Sequence, residues 1–213
     1  MMKALIIGAT GATGKDLVNV LLEDPGYTKV TTFVRRTSGI VHPKLSEVLT
    51  DFDHLEKVSG LIEGEVLFSC LGTTLKVAGS KENQYHIDYE IPLKFSKMAY
   101  EKGLKKIVLL SAHGASISSK VFYSKTKGKL EEDTAQIGFD QFIIFRPGLL
   151  LRKNTDRLAE RLAAGALKFL NSMGLIKKFQ PLPTALLAEK MAKSPKVLSN
   201  GKYIVELDKI FEF

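Results

Sequence analysis

Apolar residues in this chain fall into short unbroken runs that alternate with stretches of helical period. The run Lys3-Ala4-Leu5-Ile6-Ile7 is too brief for a helix and predicts a buried strand. After residue 15 the apolar positions are Leu17, Val18, Leu21 and Leu22, the spacing of a helix with one apolar face. Further strands are expected at 29–34, 47–50, 65–71, 106–110 and 141–145. Between them the pattern predicts a short helix near 54–61, a long one over about 83–102 interrupted near Pro92, and one over about 123–137. Arg146-Pro147-Gly148 breaks the alternation. Beyond it, 156–172 and 185–192 read as helices and 202–206 as a last short strand. Strands taking turns with helices predict a doubly wound α/β fold, a mostly parallel sheet covered on both faces. The C-terminal third, from about residue 150, reads as a small helical cap continuous with it, so residues 1–213 are taken as one domain.

Between the first strand and the first helix stands Gly8-Ala9-Thr10-Gly11-Ala12-Thr13-Gly14. A strand, a glycine turn and a helix in that order open a Rossmann dinucleotide-binding fold, where N–H groups at the helix start face a pyrophosphate. The spacing is GxxGxxG rather than GxGxxG. The second strand ends at Arg35-Arg36, where an NAD-binding unit generally carries an acidic residue. Guanidinium forks match phosphate geometry, so the expected cofactor is NADP(H). Asp51-Phe52 and Leu71-Gly72-Thr73 close the third and fourth strands, where the adenine and nicotinamide halves would pass; a plain turn is the competing role for Gly72.

Composition changes this picture little. Hydrophobic residues make up 45% and charged residues 25%, ordinary for a globular protein. The net charge of +8 is scattered, with short clusters at Lys102/Lys105/Lys106 and Lys125/Lys127/Lys129 and no nucleic-acid motif. A solvated basic surface that steers anionic ligands accounts for it. No apolar run reaches membrane-spanning length, and a strand starting at residue 3 leaves no room for a targeting peptide. Cys70 is the only cysteine and fits a reducing compartment, so a cytoplasmic protein is expected. His42, His54 and His86 show no metal-ligand spacing, to one another or to Cys70, and no GxSxG elbow appears. His113 reads as a surface or packing residue, with a proton relay as its sharper alternative.

Tyr123-Ser124-Lys125-Thr126-Lys127 contains YxxxK. On a helix the phenol and the ammonium share one face, and a nearby cation favours phenolate, as a proton donor or acceptor near neutral pH needs. With GATGATG at 8–14, VRR at 34–36, SCLGTT at 69–74, LLSAHGA at 109–115, YSKTKGKLE at 123–131 and FRPGLLL at 145–151, the chain resembles atypical short-chain dehydrogenases/reductases. More narrowly, it is similar to the HIV Tat-interacting protein oxidoreductase group over roughly residues 3–192. The resemblance implies that Thr10, Gly11, Ala12 and Thr13 hold the pyrophosphate and Arg35 and Arg36 the adenosine phosphate. It implies that Leu71 and Gly72 line the ribose and nicotinamide path, and that Leu150 closes over it. Tyr123 would be the catalytic acid/base and Lys127 would hold the nicotinamide ribose, while Arg157 aligns with a cofactor contact only through a one-residue gap.

Related reductases usually end the fifth strand with two serines, and this chain has Ser111-Ala112. Ser111 is the candidate to polarise a carbonyl, with Ser116, Ser118 and Ser119 as substitutes. The expected function is NADPH-dependent reduction of a carbonyl, or the reverse oxidation. The missing hydroxyl at Ala112 keeps a second function open, an NADP(H)-binding sensor or scaffold that would act through a protein partner. Leu162, Leu167, Phe169, Leu170 and Met173 read either as a substrate-pocket wall or, more simply, as the apolar face of a packed helix.

Overall fold

The computed structural model describes residues 1–151 and 180–213. Seven strands form one sheet: β1 (Met2–Ile7), β2 (Tyr27–Val34), β3 (Leu45–Leu49), β4 (Val66–Ser69), β5 (Lys106–Leu110), β6 (Gln141–Arg146) and β9 (Gly201–Glu206). Their order is β3-β2-β1-β4-β5-β6-β9, and every pairing is parallel. Ala4 through Ile7 are buried in full, as a central parallel strand with helices on both faces requires. Alternate side chains go to opposite layers. Ala4 and Ile6 join Leu17, Tyr27, Phe68 and Met191 in one core, whereas Leu5 and Ile7 join Phe33, Leu55, Phe95 and Ile107 in the other. The doubly wound sheet read from the sequence is therefore the fold.

Helix α1 (Ala12–Glu23) follows the glycine turn. A short 3-10 helix spans Leu55–Leu61. Helix α2 (Leu75–Ala78), which hydrophobic period does not announce, is bounded by Thr74, whose hydroxyl accepts the Val77 N–H, and by Gly79 at φ +82°. The long helix begins two residues early, as α3 (Lys81–Tyr85), where the Ser80 hydroxyl accepts the Asn83 N–H at 3.1 Å. It winds through a π turn at His86–Glu90 into α4 (Ile91–Glu101). The interruption expected near Pro92 is this turn. Proline has no N–H to give the carbonyl four residues back, and a wider winding absorbs the defect. Helix α5 (Phe122–Ala135) carries Tyr123 in its first turn. A methyl added at Gly128 would fall 2.4 Å from the Ser116 carbonyl carbon, so the loop after β5 lies directly on the backbone of α5.

The described part of the C-terminal third is built into the layers. A two-residue parallel pair, β7 (Leu150–Leu151) with β8 (Leu182–Pro183), leads into helix α6 (Thr184–Val197). Leu187, Ala188, Met191 and Ala192 of α6 bury against the apolar stripe of α1, and β9 then extends the sheet beyond β6. The helix expected at 156–172 and its apolar residues lie outside the described residues. A polar clasp ties α6 down: the buried Tyr27 hydroxyl donates to the Ala192 carbonyl at 2.7 Å. Tyr27→Phe keeps the ring and removes one buried hydrogen bond from a carbonyl that keeps its place in the helix ladder, so it should lower unfolding free energy by about 1 kcal/mol. Urea denaturation of both proteins checks this; an unchanged midpoint would show that the bond contributes nothing.

Candidate functional site

The strand order reverses between β1 and β4, so the chain leaves the carboxyl ends of these strands in opposite directions and a crevice opens there. It is a cavity of about 650 Å³. One wall is the glycine turn, Gly11 to Gly14. The other walls come from Cys70 to Leu75 after β4, from Leu110 and Ser111 at the end of β5, and from Tyr123 and Lys127 on α5, with Leu150 at the edge.

The glycines have separate tasks. Gly8 sits at φ +82°, and a Cβ on it would lie 2.4 Å from the Cys70 carbonyl carbon. A Cβ on Gly14 would lie 2.1 Å from the Gly8 carbonyl oxygen. Gly11 is exposed, and a Cβ there meets nothing nearer than the Gly8 oxygen at 3.3 Å. No side chain caps α1, so its first N–H groups have no acceptor from a capping residue. The turn thus presents bare backbone donors to the cavity.

Tyr123 stands in the wall, and its hydroxyl has no hydrogen-bond partner among the described residues. Lys127, one turn on, is buried and donates to the Leu71 carbonyl at 3.2 Å. Beneath it lies Asp88, a fully buried carboxylate that accepts the Thr73 N–H at 2.7 Å and the Gln84 amide at 3.3 Å. Burial holds the Lys127 ammonium below its usual range, against the opposing pull of Asp88. Burial likewise raises the Asp88 carboxyl, with Lys127 and the two donors acting against it. Tyr123 is pushed up to about 12 by burial and by the Asp88 charge. The sequence chemistry anticipated a phenol lowered by its lysine; in the cleft as it stands burial and the Asp88 charge raise it instead.

Ser111 is turned away from this group. Its hydroxyl donates to Glu131, a buried carboxylate one turn beyond Lys127 that also takes two N–H groups of Arg146, at 3.0 and 2.5 Å. Arg146 reaches Glu206 at 3.7 Å, so the ends of β5, β6 and β9 are tied to α5 through one ion network. The proton that Ser111 would offer a substrate is committed to Glu131. Ser116 and Ser118 bond to one another at 2.8 Å, and neither they, Ser119 nor His113 lines the cavity.

A second cavity, about 350 Å³, opens beside α1 at the ends of β2 and β3. Thr10, Lys15, Arg36 and Ser38 line it. Arg35 does not, so the two arginines that the sequence treats alike are separated, and Lys15, which sequence reading missed, takes the second cationic place. Gly72, Thr73 and Leu71 line the main cleft as expected. Asp51 and Phe52 line neither cavity: Asp51 accepts the Asp53 N–H at 3.1 Å, and Phe52 packs on the core. Arg157 lies outside the described residues. Asp88, Gln84 and Glu131 were also missed; the one signal for Asp88 was Pro92, whose defect winds the turn that carries it.

A family model described as HIM1 matches residues 41–180. Among curated relatives, "Protein FMP52, mitochondrial" of Candida albicans is 38% identical over 169 residues, covering 76% of this chain and 74% of the relative. The Saccharomyces cerevisiae protein of that name is 36% identical over 159 residues, covering 73% and 68%. Among solved structures, the oxidoreductase ylbE from Lactococcus lactis superposes with a TM-score of 0.69 at 18% identity, over 95% of this chain and 89% of that one. A short-chain dehydrogenase/reductase superfamily protein from Agrobacterium tumefaciens with bound NAD gives 0.73 at 14%, over 96% and 77%. The likeness to the solved structures shows a Rossmann fold. The names of the relatives overturn the cytoplasmic expectation. Its physical basis was thin: a buried reduced Cys70 suits any reducing compartment and selects none.

The ion network yields a contrast between two substitutions. Glu131→Ala strands the Ser111 hydroxyl and leaves the Arg146 guanidinium only Glu206 at 3.7 Å, and should cost about 3 kcal/mol of stability. Ser111→Ala removes one donor from a carboxylate that keeps Arg146, and should cost about 1 kcal/mol. Chemical denaturation of the two variants checks the order; equal losses would mean that Arg146 does not depend on Glu131.

Proposed function

The chain belongs to the HIM1 family, and we propose that it is an NADPH-dependent oxidoreductase of the atypical short-chain dehydrogenase/reductase type that acts on a carbonyl or its alcohol. One observation carries the reading: an uncapped helix start, an unpartnered phenol and a buried lysine converge on one cavity. The motifs shared with the HIV Tat-interacting protein oxidoreductase group support it. Neighbours of this fold that hold NAD, such as MoeE5 in complex with UDP-glucose and NAD, support the nicotinamide-dinucleotide part of it. We read the whole chain as one nucleotide-binding unit with the region from about residue 150 on the substrate side, a reading that Leu150 in the cavity wall supports. The names of the relatives support a mitochondrial location.

The residues present fit the cofactor. The open side of Gly11 is a cradle that any side chain would fill, and Thr10, Ala12 and Thr13 flank it. These backbone donors would hold the pyrophosphate. Lys15 and Arg36 would meet a 2′-phosphate. Leu71, Gly72, Thr73 and Leu150 would line the path of the nicotinamide. When bound, that cofactor supplies or takes up a hydride, which no side chain can. Lys127 would hold its ribose, and Asp88 positions Lys127 from below. Tyr123 would move the proton at the substrate oxygen. A protonated phenol is the form that donates when a carbonyl is reduced, and the reverse oxidation would need it to accept.

A second reading, an NADP(H)-binding sensor without turnover, draws on the commitment of Ser111 to Glu131 and on the methyl at Ala112, which leave neither end-of-β5 position with a proton to offer a substrate. Two variants separate the readings. Gly11→Val sets a Cβ 3.3 Å from the Gly8 oxygen, a tight contact that a small shift of the turn relieves, and fills the cradle, so its melting temperature should fall by a few degrees at most while NADPH binding by calorimetry is lost. Normal binding by this variant would remove the glycine turn from the site. Tyr123→Phe should bind NADPH within about twofold of the parent and reduce a carbonyl substrate, found by screening aldehydes, ketones and quinones, roughly 100-fold more slowly in single turnovers. A full rate in Tyr123→Phe would exclude the phenol as acid. NADPH binding with no carbonyl consumed across the screen would give the sensor reading precedence.

A further inference from the structure

We propose that Glu47 sets how far this site prefers a dinucleotide carrying a 2′-phosphate over one without it; the inference rests on the cofactor reading above. Glu47 pairs with Thr32 across β2 and β3, so the two side chains lie on one face of the sheet, the face that Val34 shares two residues on. All three line the smaller cavity, opposite Lys15 on α1 and Arg36 at the end of β2. That cavity is therefore mixed in charge: two cations and one carboxylate. Both Glu47 oxygens stand 3.1 Å from the Ser38 N–H, which folds the segment after β2 back onto β3.

The charges on its walls decide which occupant the cavity prefers. A 2′-phosphate arriving there is drawn by Lys15 and Arg36 and repelled by Glu47. It also finds the Ser38 N–H, a donor suited to phosphate oxygen, already taken. A ribose without the phosphate meets a different surface, where the same carboxylate accepts its hydroxyls. Glu47 thus lowers the gain that the two cations give the phosphorylated cofactor and raises the standing of the plain one. The outcome is a site that discriminates less than its basic residues alone would.

Glu47→Gln isolates this effect, because the amide oxygen still accepts the Ser38 N–H while the charge is gone. Calorimetry would compare NADPH with NADH, and adenosine 2′,5′-bisphosphate with adenosine 5′-monophosphate, on the parent, on Glu47→Gln and on Arg36→Ala. The two short nucleotides read the phosphate subsite without the nicotinamide end. In Glu47→Gln the preference for the phosphorylated member of each pair should rise roughly 5- to 10-fold, and in Arg36→Ala it should fall by a similar factor. Thermal melts of the free proteins confirm that the fold is kept. Unchanged preferences in Glu47→Gln, with both dinucleotides bound by the parent, would overturn the role of Glu47 and leave the cofactor reading standing. A parent that binds neither dinucleotide would overturn both.

Discussion

The close approach of three backbone segments governs this molecule. The turn at 8–14 meets the end of β4 with no room for a side chain at Gly8, and it folds on itself with none at Gly14. Because of that contact the start of α1 is held against the end of β4, and its uncapped N–H groups open into the crevice between β1 and β4. The Cys70 N–H bonds to the Ile7 carbonyl at 2.9 Å, so the registers of the two strands and the position of the turn are set together. The Leu71 carbonyl and Thr73 N–H that hold Lys127 and Asp88 belong to the same short segment after β4. A shift in the turn would therefore move both ends of the cleft.

Much of this was legible in the sequence, and the exceptions have physical causes. Buried parallel strands are continuous apolar runs, so β1, β5 and β6 could be read to within a residue. The YxxxK spacing places Tyr123 and Lys127 on one helix face without further information. Asp88 could not be read that way. Its inward direction depends on the π turn that Pro92 imposes, and a 3.6-residue period gives the wrong phase across such a turn. The orientation of Ser111 was equally hidden, because its partner Glu131 lies twenty residues away on another element. Arg35 and Arg36 look equivalent in a string of letters, but successive residues at the end of a strand point to opposite sides, and only one reaches the cavity. The compartment had no signal in the residues that were weighed for it.

The cleft separates two kinds of polar group. The first N–H groups of α1 and the Tyr123 hydroxyl have no partner among the described residues, whereas Lys127 is held by the Leu71 carbonyl, Asp88 by the Thr73 N–H and Gln84, and Ser111 by Glu131. Groups of the first kind are open to a ligand and groups of the second hold their neighbours in place. This division explains how a buried lysine and two buried carboxylates persist so close together: each charge has a partner or a donor, which offsets part of the desolvation that isolated charges would suffer.

Helix α6 gives the fold a kinetic character of its own. It covers the apolar stripe of α1, yet it stands more than 160 residues away in the chain, as the Tyr27–Ala192 bond records. β9, added after it, closes the far edge of the sheet. While the chain emerges from the ribosome, the first βαβ unit must wait with one face of its helix bare until residues 184–206 are available. Contacts of such long separation slow folding, and exposed apolar surface in the interval invites association with other chains. The element that opens the nucleotide cradle is thus synthesised well before it is sheltered, so a nascent or truncated chain should depend on chaperones until residues 184–206 arrive.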